Sequence, residues 1–459
     1  MKTTDSCKRI LLSSGRKFLF MLIYSPDINP RLKYTLDFVF RDVLNIDIRI
    51  TNIKEELNNH DGAKLNYSAE KIEGIPFLEA TKLLFEDGLT PQDNNLLESL
   101  DWEGLPAFFP VKQESMVPFD LFSSVFFLIS RYEEYLPFDP DQHNRFQSKL
   151  SLAAKLDFLD KPIVDLWINK LGKILEAFFP DEIKITKPKF IFEPTIDIDN
   201  AWAFKHKGFF RTLGSVFSPG QRMERRNFRY QVLRGKQHDP FYQFEKMQMI
   251  HEKAGFEPIF FFLVGPYGKF DKNISPSKKA FRSLIKQITG KYQTGLHPSY
   301  SSDFNQDAIA MEKKVLGDIS GQKINISRQH YLRLRFPHTY RALIRAEIFN
   351  DYSMAYADKS GFRASTSHSF YFFDLESNKA TELRVFPFQV MDTGLRDYEH
   401  MDPEQAIERI RNLMDSTKEA GGTFRSLWHN ESFSEWQGWE GWTKVYKEML
   451  KLAGDRSNF

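Results

Sequence analysis

The stretch Phe190–Trp202 constrains this chain most, because it joins a strand pattern to a closely spaced pair of acids. An apolar run, Phe190-Ile191-Phe192, leads through a proline into Thr195-Ile196-Asp197-Ile198-Asp199. Side chains alternate between the two faces of a β-strand, so Asp197 and Asp199 project to the same side of one strand end. Two carboxylates this close repel each other unless a cation lies between them or one takes up a proton. The pattern favours a metal or acid–base site over the plainer interpretation, two solvated acids that end a strand.

Composition limits the class of protein. A chain of 459 residues exceeds one ordinary core, so we expect two domains. The formal net charge of +2 gives no global sign of a nucleic-acid partner. The single cysteine, Cys7, excludes a disulfide framework and a cysteine-cluster metal site, which leaves His, Asp and Glu as transition-metal ligands. The apolar segment Phe18–Tyr24 is too short to span a membrane and no cleavage site follows it, so we expect a cytoplasmic protein without an integral membrane segment.

The chain divides near residue 185, where Pro180-Asp181 and Thr186-Lys187-Pro188 interrupt the pattern. Residues 1–185 predict an N-terminal α/β accessory domain, with a strand at Phe18–Tyr24 and helical periodicity over Arg31–Leu44. This part shows no catalytic constellation, so we expect a structural or substrate-guiding domain. Residues 186–459 predict a second domain that holds the active site.

In the second domain, strands and helices alternate, which is typical of a parallel sheet or barrel. The sequence predicts seven strands: Phe190–Asp197, Pro258–Leu263, Gln293–Leu296, Asn325–Ser327, Tyr352–Ser353, Thr381–Pro387 and Thr423–Trp428. The helices predicted between them are Phe241–Ala254, Pro276–Thr289, Asp303–Leu316, Phe336–Arg345 and Pro403–Ala420. Seven strands with crossovers suit a small or incomplete (β/α) barrel, in which chemistry lies at the carboxyl ends of the strands.

Polar side chains recur at those strand ends. They are Asp197 and Asp199, the run His297-Pro298-Ser299-Tyr300-Ser301, the run Ser327-Arg328-Gln329-His330, the segment beginning at Asp351, and the run Trp428-His429-Asn430-Glu431. Single polar residues at strand ends are common, but five sets on one rim predict a functional site there.

These residues carry a resemblance to a known family. Over about residues 190–435 the chain resembles the polysaccharide deacetylases of the NodB-homology, or carbohydrate esterase family 4, type. Thr195-Ile196-Asp197-Ile198-Asp199 is similar to a variant of their first motif, which implies Asp197 as general base and Asp199 as metal ligand. Their second motif has two metal-binding histidines; here Gly295–Ser301 keeps His297 but has Ser301 in place of the second. The implied fold is a distorted (β/α)7 barrel, and with its leading domain the whole chain resembles bacteroidete proteins of this kind.

The same resemblance implies further roles. Arg328 is the positional match for an arginine that holds the base carboxylate, and Asp351 is the candidate for the acid that orients the last histidine. Ser426-Leu427-Trp428-His429 resembles the fifth motif, which makes His429 the general acid. We expect Tyr300, Ser301 and Trp428 to contact the substrate.

The metal is the open question. A catalytic zinc site usually has three protein ligands, and Asp199 and His297 are two. His330, at an adjacent strand end, could replace the missing histidine; a two-ligand site completed by water, a different metal, or no metal at all are the alternatives. Zinc is the expected divalent ion if one is bound.

The implied function is a metal-dependent hydrolase that removes N-acetyl groups from a sugar of a surface polysaccharide or its precursor. The alternative is a catalytically silent carbohydrate-binding protein that has lost a metal ligand, and a different hydrolase on the same scaffold remains open. A further partner is suggested between Phe204 and His238, where basic residues face a single acid, Glu224. They are Lys205, Lys207, Arg211, Arg222, Arg225, Arg226, Arg229, Arg234 and Lys236. This segment could receive an anionic glycan or a lipid phosphate, or it could be a solvated loop.

Overall fold

The computed structural model describes residues 20–112, 114–207, 223–303 and 305–454. Phe18 of the first predicted strand lies outside these residues, as do Arg211 and Arg222 of the basic segment. Within the described residues the protein has mixed α/β structure. None of the described helices combines the length and the apolar character that crossing a membrane requires.

The first part of the chain forms a parallel four-stranded sheet with the order β2-β1-β3-β4. Its strands, followed by those of a short hairpin, are Met21–Tyr24 (β1), Ile48–Thr51 (β2), Lys64–Ser68 (β3), Phe77–Glu79 (β4), Leu100–Trp102 (β5) and Leu105–Ala107 (β6). The helices are Pro30–Leu36 (α1), Lys54–Asn59 (α2), Leu121–Ile129 (α3), Leu152–Lys155 (α4) and Ile163–Phe178 (α5). Helix α1 begins where Asn29 accepts a hydrogen bond from the backbone of Leu32, with a proline at its first position.

The second part forms a nine-stranded sheet with the order β12-β13-β11-β10-β9-β8-β7-β15-β14. Its strands are Phe190–Ile198 (β7), Ile259–Phe262 (β8), Thr294–Leu296 (β9), Ile326–Ser327 (β10), Asn350–Asp351 (β11), Phe370–Asp374 (β12), Lys379–Val385 (β13), Val390–Met391 (β14) and Gly422–His429 (β15). The helices are Met223–Leu233 (α6), Phe244–Ala254 (α7), Lys279–Thr289 (α8), Gln306–Ser320 (α9), His338–Arg345 (α10), Pro403–Ala420 (α11) and Trp442–Gly454 (α12).

This sheet differs from the predicted seven-stranded barrel. Strand β12 was not predicted, and it pairs antiparallel with β13 through a tight connection, which makes a hairpin at one edge. Strand β14 was also missed, because it has only two residues. Strand β11 lies two residues before the predicted strand at Tyr352–Ser353. Within the described residues the pairing runs from β12 to β14 without closing, so the barrel is not confirmed.

The two parts of the chain pack on a shared core. One cluster of buried apolar side chains takes members from both, including Phe126 and Trp167 before residue 185 and Phe373 after it. The rings of Phe126 and Phe373 lie 5.2 Å apart, centroid to centroid. Asp165 on α5 also accepts hydrogen bonds from the backbone and the hydroxyl of Ser367. The boundary near residue 185 therefore stays a prediction, while the contacts across it are extensive.

Candidate functional site

Four of five neighbouring parallel strands carry the predicted residues at or just after their carboxyl ends. Strand β15 pairs with β7 in a register that sets His429 opposite Asp197. On the other side of β7 lie β8 and then β9, which is followed directly by His297. Strand β10 is followed by Arg328 and His330. Because the strands are parallel, these residues meet at one edge of the sheet.

Asp199, His297 and His330 form a group that could hold a metal ion. One ligand atom from each of the three lies within 4.8 Å of the others. The Nε2 atom of His297 lies 3.1 Å from Oδ1 of Asp199, and the Nε2 atom of His330 lies 3.3 Å from Oδ2. Both histidines are buried, and the Asp199 side chain is 31% exposed.

Hydrogen bonds at the Nδ1 atoms of the two histidines fix the orientation of their rings. The Nδ1 atom of His297 lies 2.6 Å from the carbonyl oxygen of Arg328, and the Nδ1 atom of His330 lies 2.8 Å from a carboxylate oxygen of Asp271. Both partners are acceptors, so each Nδ1 carries the hydrogen and each Nε2 faces Asp199. This is the arrangement in which outer partners orient metal-binding histidines.

The donor set fits a divalent cation. When both rings are neutral, two lone pairs and a carboxylate face one another, which is unfavourable without a cation between them. The Oδ1 atom of Asp199 is buried and accepts no hydrogen bond from the described residues. Burial opposes the ionisation of Asp199, but His330 and His297 outweigh it and hold the pKa of this carboxyl well below its usual range. Burial lowers the pKa of His330, yet Asp199 and Asp271 raise it to about 9. The pocket thus attracts positive charge, which a bound cation would supply in place of the proton.

Asp197 is held by a buried arginine. The Nη1 atom of Arg328 donates to Oδ1 of Asp197 at 2.9 Å and to the hydroxyl of Thr195 at 2.6 Å. The guanidinium lies between the rings of Phe261 and Phe388, at 4.6 and 4.9 Å from their centroids. The other carboxylate oxygen of Asp197 lies 3.8 Å from His297, beside the metal group. Arg328 therefore fixes one oxygen of Asp197 and leaves the other directed toward the site.

His429 is oriented by an acid that the sequence analysis missed. The Nδ1 atom of His429 lies 2.7 Å from Oδ1 of Asp392, and Oδ2 of Asp392 accepts a hydrogen bond from the backbone of His429. Burial lowers the pKa of His429, but Asp392 foremost, with Asp199 and Asp197, raises it to about 10. The Nε2 atom of His429 lies 3.7 Å from Asp199. The Nε2 atom of His429 therefore faces the group formed by Asp199, His297 and His330.

Asp351 does not take the orienting role predicted for it. Its carboxylate accepts hydrogen bonds from the backbone and the hydroxyl of Ser353 and from the hydroxyl of Ser327. Burial raises the pKa of Asp351 to about 6. Four strands separate its strand, β11, from β15 in the sheet, whereas Asp392 directly follows β14, the neighbour of β15.

The three residues predicted to contact the substrate are placed elsewhere. Trp428 is fully buried and packs against Tyr446, because alternation along β15 turns it away from the face that carries His429. Tyr300 stacks on Phe270 with ring centroids 4.2 Å apart, and Phe270 rather than Tyr300 lines the cavity. The hydroxyl of Ser301 contacts that of Ser299 at 3.0 Å.

A cavity of about 660 Å³ opens over the site. Its lining includes both acids, Asp197 and Asp199, and all three histidines, His297, His330 and His429. The remaining walls carry cations, two acids and aromatic rings, among them Arg145, Lys207, Arg225, Phe270, Tyr331, Asp397, Tyr398 and Glu431. Burial raises the pKa of Glu431 to about 7, with Asp199 and Asp392 adding to the shift and His429 opposing it. The cavity thus brings carboxylates, imidazoles and aromatic rings together around the candidate metal site.

Residues 21–180 match a family of unknown function, DUF7033. No curated protein matches the chain. Among solved structures, the chain is similar to a protein from Mycobacterium smegmatis described as a polysaccharide deacetylase, with 13% identity, a TM-score of 0.40, and coverage of 59% of this chain and 86% of that one. It is also similar to the polysaccharide deacetylase Bc1974 from Bacillus cereus, with 12% identity, a TM-score of 0.29, and coverage of 58% and 86%. A third similar structure, from Pseudomonas aeruginosa PAO1 and also described as a polysaccharide deacetylase, has 8% identity, a TM-score of 0.37, and coverage of 57% and 84%.

Proposed function

We propose that this protein is a metal-dependent hydrolase that removes the acetyl group from an N-acetylated sugar of a surface polysaccharide or its precursor. The observation that carries the proposal is the convergence of Asp199, His297 and His330, with Asp197 and His429 beside them in one cavity. The motif resemblance of the second half of the chain points the same way. The metal we expect is zinc, because two imidazoles and one carboxylate are a donor set that zinc takes in catalytic sites.

Hydrolysis of the amide needs a base for the attacking water and an acid for the leaving nitrogen. Asp199, His297 and His330 would hold a divalent cation, which would serve as a Lewis acid toward the acetyl carbonyl. Asp197, fixed on one oxygen by Arg328, takes the proton of the water that adds to the carbonyl carbon. His429, held protonated by Asp392, delivers a proton to the nitrogen as the C–N bond breaks. The products are acetate and the free amino sugar.

The second candidate, a catalytically silent carbohydrate-binding protein, depended on the loss of a metal ligand at Ser301. His330 contributes a third donor atom to the group that contains Asp199 and His297, so the reason for that candidate is weakened. We also propose that Lys207 and Arg225, which line the cavity, contact an anionic group of the substrate. The cytoplasmic location stays a prediction.

The test is acetate release from N-acetyl-chito-oligosaccharides, measured with protein stripped by a chelator and then loaded with one equivalent of Zn²⁺. We expect release only after loading, and no release from the loaded Asp197→Asn variant. Zinc that binds with no release from a panel of N-acetylated glycans would favour the silent binding protein, and absence of zinc binding would remove the metal-dependent mechanism.

A further inference from the structure

Within the described residues, the N-terminal part of the chain reaches the cavity over the candidate metal site through residues 139–146, which we name the rim loop. Gln142 and Arg145 of this loop line the same cavity as the metal group. The loop is shaped by Asp141, which accepts hydrogen bonds from the backbone of His143 at 2.8 Å and of Arg145 at 2.9 Å. A part of the chain outside the deacetylase-like half therefore contributes a wall of the site.

Arg145 is fixed in place and spans from the rim loop to the second half of the chain. Its side chain is only 6% exposed. Its Nε atom donates to Asp141 at 2.8 Å, its Nη1 to the carbonyl oxygen of Tyr331 at 2.9 Å, and its Nη2 to the hydroxyl of Tyr398 at 3.1 Å. A guanidinium with three hydrogen-bond acceptors around it is held in one orientation, and hydrogen bonds donated by a cation are stronger than neutral ones.

The backbone that Arg145 holds is in an unusual conformation. Tyr331 and Leu332 have φ angles of 60° and 54°, in the left-handed region that residues with a Cβ rarely occupy. Such positions persist only where the surrounding structure holds them, and they cluster at functional sites. The residue just before this pair is His330, the member of the metal group that no family motif supplied. The direction of the His330 side chain therefore depends on how this turn is held.

A second arginine holds the same turn from the other side. Arg333 donates to the carbonyl oxygen of His143 in the rim loop at 2.9 Å and to that of Tyr300 at 2.8 Å. It also pairs with Asp303 at 2.7 Å. The turn after β10 and the rim loop thus donate hydrogen bonds to each other in both directions.

We propose that Arg145 is a positioning residue for the metal group, and that the N-terminal part of the chain completes the metal site by holding the turn that carries His330. This inference rests on the proposed function, since it concerns the same metal site. When Arg145 is removed, the carbonyl of Tyr331 loses its cationic donor and the left-handed pair can relax. His330 then moves from the point that it shares with Asp199 and His297.

The effect is measured as the dissociation constant for Zn²⁺, by competition between chelator-stripped full-length protein and a chromophoric chelator. We expect Arg145→Ala to weaken zinc binding by about 10- to 100-fold, the range for residues that orient metal ligands. Arg145→Lys should fall between, because a lysine amine cannot span Asp141, Tyr331 and Tyr398 together. Asp141→Asn weakens the hydrogen bonds that hold Arg145 without changing the arginine. This variant replaces Arg145→Ala in the experiment if Arg145→Ala does not fold.

The matched control is Arg409→Ala. Arg409 also joins the two parts of the chain, since it pairs with Asp160 at 2.6 Å and donates to Ser360, but it does not line the cavity. Arg409→Ala should keep the zinc affinity of the parent protein within about threefold, the scatter expected for a contact remote from the ligands. Folding of each variant is checked by circular dichroism.

Three results would overturn or separate the two proposals. Folded Arg145→Ala with the zinc affinity of the parent protein would overturn the positioning role and leave the proposed function standing. Equal weakening in Arg409→Ala would also overturn it, because any contact between the two parts would then suffice. Selective weakening in Arg145→Ala, in a protein that releases no acetate, would support the positioning role and contradict the deacetylase.

Discussion

Two aspartates, one near the strand ends of each sheet, differ in a way that separates a structural acid from a candidate functional one. Asp120, beside the ends of β3 and β4, accepts hydrogen bonds from the hydroxyls of Tyr67, Thr81 and Ser123 and from the backbone of Thr81 and Ser123. It also caps helix α3. Both of its oxygens are satisfied by donors from the protein, so no ligand is needed to explain it.

Asp199 has a similar place in the other sheet but different neighbours. Its Oδ1 atom accepts no hydrogen bond within the described part of the chain, and its nearest polar neighbours are imidazole nitrogens. A buried carboxylate oxygen costs free energy unless a donor or a cation satisfies it. The comparison teaches that the missing donor, rather than burial or acidity, marks the candidate metal site.

The difference between the two aspartates is tested most strongly by replacing each of them with alanine. Asp199→Ala should lose zinc binding completely while its free energy of unfolding, measured without metal, changes by less than about 1 kcal/mol, as at surface or active-site positions. Asp120→Ala should keep one equivalent of zinc but lose about 3 kcal/mol or more, because several buried donors are left without a partner. Metal content and urea unfolding check both. Zinc retained by Asp199→Ala would contradict the distinction.

The next largest effect separates the base from the ligands inside the second sheet. Asp197→Asn should lower acetate release by about 10²- to 10⁴-fold, the usual contribution of a general base, with zinc content unchanged. The reason is that the amide still accepts a hydrogen bond from Arg328 but cannot take a proton. If zinc content falls together with activity, Asp197 is a ligand and the assigned roles are wrong.

A smaller effect is expected at the acid that orients His429. Asp392→Asn should lower turnover by about 10- to 100-fold, as for other outer partners of functional histidines. Asp392 raises the pKa of His429, so removal of its charge lowers that pKa. The imidazole then loses the proton that it must donate at a lower pH than in the parent protein. The alkaline limb of the kcat profile should therefore move to lower pH. An unchanged limb would show that His429 is not the proton donor.

The smallest effect concerns Trp428, which the structure places in the core. Trp428→Phe should leave KM for the glycan within about twofold and lower the free energy of unfolding by about 1 kcal/mol, because it removes buried aromatic area and no contact in the cavity. A large rise in KM with unchanged stability would return Trp428 to the substrate site.

Local chain order explains what the sequence could predict. Five site residues lie in or directly after strands whose apolar pattern is clear: Asp197, Asp199, His297, Arg328 and His429. Because the strands are parallel, these residues were expected to meet at one edge of the sheet. The same argument supplied His330 as a candidate for the third ligand.

The rest depended on contacts that the chain order does not contain. Asp392 follows a two-residue strand and contacts His429, and Asp271 lies in a connecting loop and contacts His330. Only the folded structure shows these contacts. Asp351 fitted the strand-end pattern as well as any acid, but four strands lie between its strand and β15, which puts it out of reach of His429. Arg145 lies in the N-terminal part of the chain, where the sequence shows no motif.

The most direct measurement is the anomalous scattering at the zinc edge from crystals of the protein loaded with one equivalent of Zn²⁺. The account predicts one peak about 2.0 to 2.2 Å from an oxygen of Asp199 and from the Nε2 atoms of His297 and His330, at the distances usual for these ligands. A peak away from these three side chains, or no peak above background, would contradict it.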